Sequence, residues 1–122
     1  MPPDDSLIPL EDVIRIERIV ESVRLLETFT AGLNEEGFRS DERTRRAIQQ
    51  ILIEVGEAVS RITPETRNRL PDIPWATIVR MRNVLIHVYW GVDLAKMWLA
   101  ATIHGPELAK KLKTLLPPEP PK

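Results

Sequence analysis

The 122-residue sequence contains no cysteine, and this absence excludes both disulfide bonds and thiolate metal sites. It is also typical of proteins kept in a reducing compartment. No apolar run approaches the roughly 20 residues that a membrane-spanning helix requires. The first five residues, Met-Pro-Pro-Asp-Asp, lack the basic flank and apolar stretch of a signal peptide. We therefore expect a soluble protein of the cytoplasm that makes no contact with a membrane.

Strand patterns are missing as well, and charge of one sign does not dominate. No internal repeat or second domain is visible, and the net charge is only −1. The charge is uneven, however, with a balance of −6 over residues 1–36 and +3 over residues 37–91. A basic middle can attract a phosphate backbone locally, although a solvated helix face is the commoner explanation of such charge. Charge alone therefore does not decide the function.

Helical periodicity is what the sequence does contain. Pro9 and Gly32 bracket a first helix, and a second is predicted from an N-cap at Ser40 to a stop at Pro64. In the first helix the apolar residues share an arc of about 120° on a helical wheel, and they are Ile16, Ile19, Val20, Val23 and Leu26. The second helix has a comparable apolar face, made of Ile48, Ile51, Leu52, Val55, Val59 and Ile62.

The second half of the chain predicts three more helices. A third starts at Pro74 or Trp75 and runs to Gly91, and a fourth, capped by Asp93, continues to His104. Gly105-Pro106 is expected to break the chain before a last helix over residues 107–116. Residues 117–122 read as a solvated proline-rich tail. The predicted architecture is all-α: a single domain over residues 1–116 that forms an antiparallel bundle of four to five helices.

The predicted third helix has two apolar sides. One side, expected to face the core, carries Met81, Val84, Leu85 and Val88. The other carries Val79, Ile86 and Trp90 among Arg82, Asn83, His87 and Tyr89. A surface facing only water rarely presents isoleucine and tryptophan, and one wholly inside a monomer rarely holds arginine and histidine together. We therefore predict a symmetric homodimer whose interface contains Val79, Ile86 and Trp90, with a polar groove beside it.

The polar residues of this helix indicate phosphodiester chemistry. Histidine exchanges protons near neutral pH, and the arginine fork suits phosphate oxygens. Asn83 lies four residues before His87, where its amide can orient the imidazole. With no cluster of carboxylates or cysteines, the pattern favours metal-independent attack of a ribose 2′-hydroxyl on the adjacent phosphate, so no metal and no cofactor is predicted. From these residues alone, ordinary packing and surface roles are the more frequent explanation for an Arg, His and Tyr on one helix.

A longer motif carries more information than these side chains taken singly. Residues 82–89 read Arg-x4-His-x-Tyr, which resembles the signature of the HepT-like toxins of the HEPN ribonuclease superfamily. The resemblance extends to the family's central block and its second-helix region, at residues 71–75, 81–87, 89–93, 38–41 and 53–58. It covers roughly residues 10–105. The sequence is thereby identified as a HepT-like member of the HEPN superfamily.

This resemblance implies an RNA substrate and specific roles for four residues. Arg82 and His87 fall on the catalytic positions, and Asn83 on the assisting position that follows the arginine. The family forms dimers whose two motifs line one cleft. In systems of the HepT/MntA type, a nucleotidyltransferase antitoxin transfers AMP to the motif tyrosine, here Tyr89, and silences the toxin. An AMP there is expected to block phosphate entry and to cancel local positive charge.

Several alternatives stay open. Val88 stands where the family often has an acid, and Trp90 stands where phenylalanine is commoner. Glu54 and Glu57 could contact an arginine of the site or could form ordinary ion pairs. The protein could also be a non-catalytic HEPN binding or scaffold partner of a minimal nucleotidyltransferase, or a plain structural dimer. Nothing in the sequence names the RNA target.

Overall fold

The structure, a computed structural model, describes residues 7–87 and 92–118, and every regular element in those two ranges is helical. The elements are, in chain order, α1 Leu10–Thr30, α2 Glu35–Ser40, α3 Glu42–Arg61, α4 Pro64–Arg67, α5 Trp75–His87, α6 Leu94–Leu99, a π-helical turn Ala100–His104 and α7 Gly105–Lys113. The all-α prediction is confirmed. None of the described helices is long and apolar enough to cross a bilayer.

A buried carboxylate joins the start of α1 to the end of α3. The side chain of Asp12 is fully buried and accepts hydrogen bonds from the Thr63 amide at 3.2 Å and from the hydroxyls of Thr63 and Thr66. Arg15 adds an ion pair at 3.2 Å. Burial raises the pKa of Asp12, but these hydrogen bonds outweigh it and hold the pKa below its ordinary value. Because Thr63 follows the last turn of α3, the two helices run antiparallel.

The contact between α3 and α5 is antiparallel as well and unusually close. The amide of Gln49 donates to the carbonyl oxygen of Leu85 at 3.0 Å. Seven residues later in α3, Gly56 lies directly against Arg82: a Cβ placed on Gly56 would be 2.3 Å from the Cβ of Arg82 and 2.8 Å from its Cγ. Only a glycine lets the helices approach this closely, because any side chain would collide with the arginine stem.

The core is built from the faces that periodicity predicted in α1 and α3. Except for the partly buried Val20, all the residues named for those faces are buried. Other elements complete the core, and they contribute Phe38, Leu85, Met97, Leu108 and Leu112. The ring of Phe38 in α2 meets the Trp98 ring of α6 with centroids 5.4 Å apart, so even this six-residue helix is anchored in the core.

One predicted helix cap is wrong and another is confirmed. The N-cap of α3 is Asp41, whose carboxylate accepts from the Thr44 amide at 3.1 Å. Ser40 instead ends α2, because Asn34 caps that short helix at its start and Phe38 fixes it to the core. The cap predicted at Asp93 is confirmed, since its carboxylate accepts from the Lys96 amide at 3.1 Å.

The break predicted at Gly105-Pro106 is also wrong. The helix continues from α6 through the π-helical turn into α7, and the Gly105 amide donates to the carbonyl oxygen of Ala100. This wider turn brings Pro106 into the first turn of α7, where a missing N–H costs little. Gly105 is required for space, because a Cβ there would lie 2.9 Å from the Ala100 oxygen and 3.3 Å from Leu26.

We expect Gly56→Ala to destabilise the protein by about 1–3 kcal/mol, the usual cost of overpacking a tight contact. The gain of up to about 1 kcal/mol in helix propensity offsets only part of that cost. The matched control is Gly37→Ala, also inside a helix, where the new Cβ would meet only side-chain atoms at 3.3 Å. Urea unfolding measures both variants, and equal midpoints for the two would contradict the close α3–α5 contact.

Candidate active site

α5 presents its polar residues in two directions. Arg82 points toward α3 and is only partly exposed, whereas Asn83, Val84 and His87 are exposed on the outer side. Val84 is 49% exposed, so the prediction that it faces the core is wrong. Leu85 is buried as predicted, and the aliphatic stem of Arg82, rather than Val84, packs on α3.

The three residues predicted for a dimer interface are Val79, Ile86 and Trp90, and the structure describes the first two of them. Val79 is half-buried and packs against the core of its own chain, and the half-buried Ile86 lines a groove of the same chain. The burial of Val79 therefore does not require a second copy, so the inference from burial was wrong for that residue, whereas Ile86 lines an open groove. Trp90 lies outside the described residues, as do Val88, Tyr89 and Gly91. Membership of a dimer interface stays a prediction for Val79, Ile86 and Trp90.

The guanidinium of Arg82 is held at both of its terminal nitrogens. Nη2 donates to the carboxylate of Glu57 in α3, and Nη1 donates to the side-chain oxygen of Asn83. Glu57 also accepts from Arg61, one turn further along α3, at 3.3 Å. The hydrogen bond from Arg82 first, and that from Arg61 second, hold the pKa of Glu57 below its ordinary value. The carboxylate is therefore ionised at neutral pH, and it lies between two arginines.

Of the two glutamates that the sequence offers as possible partners of a site arginine, Glu54 and Glu57, it is Glu57 that contacts Arg82. Glu54 instead accepts from Gln50 at 3.5 Å within its own helix. Gly56 was missed altogether. Its sequence signal is a glycine inside an otherwise continuous amphipathic helix, which marks a position where another backbone or side chain approaches closely.

Asn83 and His87 do not form the pair that their spacing predicted. The side-chain oxygen of Asn83 is engaged by Arg82, and no hydrogen bond joins Asn83 to His87 in the part of the chain that the structure describes. His87 ends the described part of α5 with an exposed side chain. Five residues along an α-helix correspond to roughly 7.5 Å of rise and about 140° of rotation. Within one chain, therefore, Arg82 and His87 face different directions.

A groove of about 670 Å³ opens beside this helix, between α3, α5 and α6. It is lined by Glu42, Arg45, Arg46, Gln49, Gln50, Ile53, Leu85, Ile86, Val92, Leu94 and Met97. Arg46 pairs with Glu42 at 3.0 Å, and Arg45 donates to the carbonyl oxygen of Arg39. The groove thus combines cationic and amide side chains with apolar ones. Among residues 7–87 and 92–118, no three His, Asp or Glu side chains are grouped as a metal site requires.

Comparisons with known proteins identify the family and several relatives of this chain. A family model described as "Ribonuclease HepT-like" matches residues 19–115. A protein of Thermococcus cleftensis named as a probable ribonuclease HepT is 36% identical over 100 residues, which cover 82% of this chain and 91% of the relative. A protein of Caldanaerobacter subterraneus named as a candidate RNase is 34% identical over 104 residues, covering 85% and 93% of the two chains. No solved structure matches this chain.

Proposed function

The chain belongs to the ribonuclease HepT-like family and is a ribonuclease, and we propose that it acts as a metal-independent endoribonuclease toxin with Arg82 and His87 as its catalytic residues. The observation that carries this proposal is the placement of Arg82. Its guanidinium is held by Glu57 and Asn83 while the side chain keeps 22% exposure. A permanently charged, preoriented fork at a surface suits the charge that develops on a phosphate under attack.

The proposed reaction is an internal transfer within the RNA. The ribose 2′-hydroxyl attacks the adjacent phosphorus, a bond forms between them, and the bond to the 5′-oxygen of the next nucleotide breaks. His87 moves the protons, since imidazole both accepts and donates near neutral pH. Arg82 stabilises the pentavalent transition state, and the products are a 2′,3′-cyclic phosphate and a free 5′-hydroxyl. Asn83 assists by holding Arg82.

We expect the complete site to need two copies of the chain. Arg82 and His87 diverge within one copy, so a cleft between the outer faces of two α5 helices supplies the missing direction. The exposure of Val84 supports this face, because a 49% exposed valine beside Asn83 and His87 is apolar surface that the described residues leave uncovered. The family resemblance supports the same arrangement, with Trp90 and the flanks of Val79 and Ile86 contributing.

The proposed regulation rests on the Arg-x4-His-x-Tyr resemblance. A nucleotidyltransferase antitoxin of the MntA type is expected to transfer AMP to Tyr89, two residues after His87. The added phosphate is an anion, and it would compete with RNA for the positive charge of Arg82. The alternative function, a non-catalytic scaffold for such a transferase, predicts binding of the partner without RNA cleavage.

We expect the purified protein to cleave single-stranded RNA in EDTA and to leave 2′,3′-cyclic phosphate ends. His87→Ala should reduce the rate by about 100-fold or more, as is typical when a general acid–base is lost. Arg82→Lys should also be impaired, because the ammonium keeps the charge but loses the fork. Activity that disappears on chelation and returns with Mg²⁺ would contradict the mechanism. A wild type no more active than His87→Ala would favour the scaffold function.

We expect a dimer at micromolar concentration, and Val84→Lys should weaken its association by about 1–3 kcal/mol, or roughly 10- to 100-fold in Kd. Light scattering combined with size-exclusion chromatography measures the change, and RNA cleavage should fall in parallel. The matched control is Ile103→Lys, because Ile103 is similarly exposed, at 44%, but lies in the π-helical turn. A monomeric wild type, or a Val84→Lys variant as dimeric as the control, would overturn the two-copy site.

We expect the antitoxin with ATP and Mg²⁺ to add AMP to this chain in mass steps of one nucleotide, measured by intact mass spectrometry. The test is clean because Tyr89 is the only tyrosine in the sequence. Tyr89→Phe should lose the labelling and keep most of the cleavage, so that it stays toxic when the antitoxin is co-expressed. Labelling that survives in Tyr89→Phe would place the modification elsewhere. A Phe variant that the antitoxin still neutralises would mean that binding alone restrains the toxin.

A further inference from the structure

Packing against α3 fixes the aliphatic stem of Arg82, independently of the hydrogen bonds that hold its guanidinium. Its Cβ and Cγ lie against Gly56, where a methyl group would not fit, so the side chain leaves α5 in one direction along α3. The next residue of α3, Glu57, meets the guanidinium. The Gly56-Glu57 step therefore supplies both a contact surface for the stem and a hydrogen-bond acceptor for the head of the same arginine.

The hydrogen bonds of the Arg82 guanidinium are not the arrangement that would stabilise the fold most. Its Nε is buried and has no hydrogen-bond partner among the residues that the structure describes, and an unsatisfied buried N–H costs roughly 1–3 kcal/mol. A bidentate pair through Nε and Nη2 would satisfy this N–H, yet Glu57 takes only Nη2. A polar group held in a costly arrangement is typical of functional sites, where the surrounding structure fixes a geometry that chemistry requires.

The arrangement leaves donors for a ligand. A guanidinium has five N–H groups, of which Glu57 and Asn83 take one on each terminal nitrogen. Nε is buried although the side chain as a whole is 22% exposed, so the terminal nitrogens are the groups left to meet a ligand. One N–H remains on each terminal nitrogen, and these two can form a fork toward two oxygens of one phosphate.

The charges around Arg82 indicate that Glu57 positions the arginine and does not compete with a phosphate for it. Glu57 is shared between Arg82 and Arg61, which donates to it at 3.3 Å, so the three side chains together carry a net positive charge. An anion approaching Arg82 is therefore attracted, even though a carboxylate is already bound. Arg61 also restrains the carboxylate from its own helix, at a spacing of four residues.

We propose that Glu57 is a positioning residue of the ribonuclease: together with Gly56 it fixes the guanidinium of Arg82 with two N–H groups directed at the scissile phosphate. This proposal rests on the proposed function, in which Arg82 stabilises the transition state. The rival role for the same contact is inhibitory, with Glu57 occupying the place of the phosphate. The two roles predict opposite effects on the rate of cleavage when the charge is removed.

The kinetic test compares Glu57→Gln with Glu54→Gln. Glu54 lies one turn earlier on α3 and bonds only to Gln50 among the described residues, so its variant controls for loss of an acid near the site. Glu57→Gln should lower kcat by about 10- to 100-fold, the usual effect of a mispositioned catalytic group. Its KM for RNA should be unchanged or lower, because a negative charge is removed near the bound anion. Glu54→Gln should stay within about twofold of the wild type.

Other kinetic results overturn the proposal. A Glu57→Gln variant as fast as the wild type, or faster, makes Glu57 a surface ion pair or an inhibitor. A raised KM with unchanged kcat assigns it to substrate binding. Thermal unfolding of both variants is followed by circular dichroism. If Glu57→Gln loses kcat only at temperatures where it is partly unfolded, that result also counts against the proposal.

A second readout does not depend on RNA cleavage. The Nε–H resonance of Arg82, identified in a ¹H–¹⁵N spectrum by its loss in Arg82→Lys, should exchange slowly because the group is buried. Glu57→Gln should shift this resonance and speed its exchange with water, whereas Glu54→Gln should leave it unchanged. An unaltered signal in Glu57→Gln overturns the positioning role. If the wild-type protein cleaves no RNA, the proposed function fails, and this resonance still shows whether Glu57 fixes Arg82.

Discussion

The close approach of α3 and α5 at Gly56 is the contact on which the candidate site depends. Because no side chain separates the helices there, the stem of Arg82 lies on the α3 backbone and its head emerges beside Glu57. That single contact also fixes the rotation of α5. With Arg82 turned inward, Asn83, Val84 and His87 must face outward. The exposure of Val84 and that of the histidine are therefore one consequence of where the arginine is seated.

A polar contact near the same end of α3 joins that helix to α1. Asp12 is buried as a charged group, which is unfavourable unless hydrogen bonds replace its hydration. Thr63, Thr66 and Arg15 provide those bonds, and they join the first turn of α1 to the chain that leaves α3. With α3 packed against both α1 and α5, Gly56 and Glu57 belong to a helix that is held from two directions. A rigid helix is a suitable support for an arginine that must keep one orientation.

Hydrophobic periodicity was sufficient to predict the buried faces of α1 and α3, because burial of apolar surface determines how those helices pack. It failed for α5, where the wheel grouped Val84 with the core and Arg82 with the polar side. An arginine is amphipathic, and its methylene stem can be buried while its head reaches water. Residue type alone could not show that a glycine in another helix would receive that stem. Pattern was also insufficient at Gly105-Pro106, where a π-helical turn adds a residue to the repeat and lets the helix continue.

The divergence of Arg82 and His87 has a physical reason that bears on how such a site can be built. The arginine must pack against its own chain, since its orientation depends on Gly56, Glu57 and Asn83. In the proposed mechanism the histidine exchanges protons with substrate, so it needs access from outside. One helix cannot satisfy both needs in the same direction at a spacing of five residues. A second α5, related by a twofold axis, can bring a seated arginine and an accessible histidine to one phosphate without changing either environment. In this scheme dimerisation is part of the chemistry, and an anion attached beside His87 would act on the positive charge of the shared cleft.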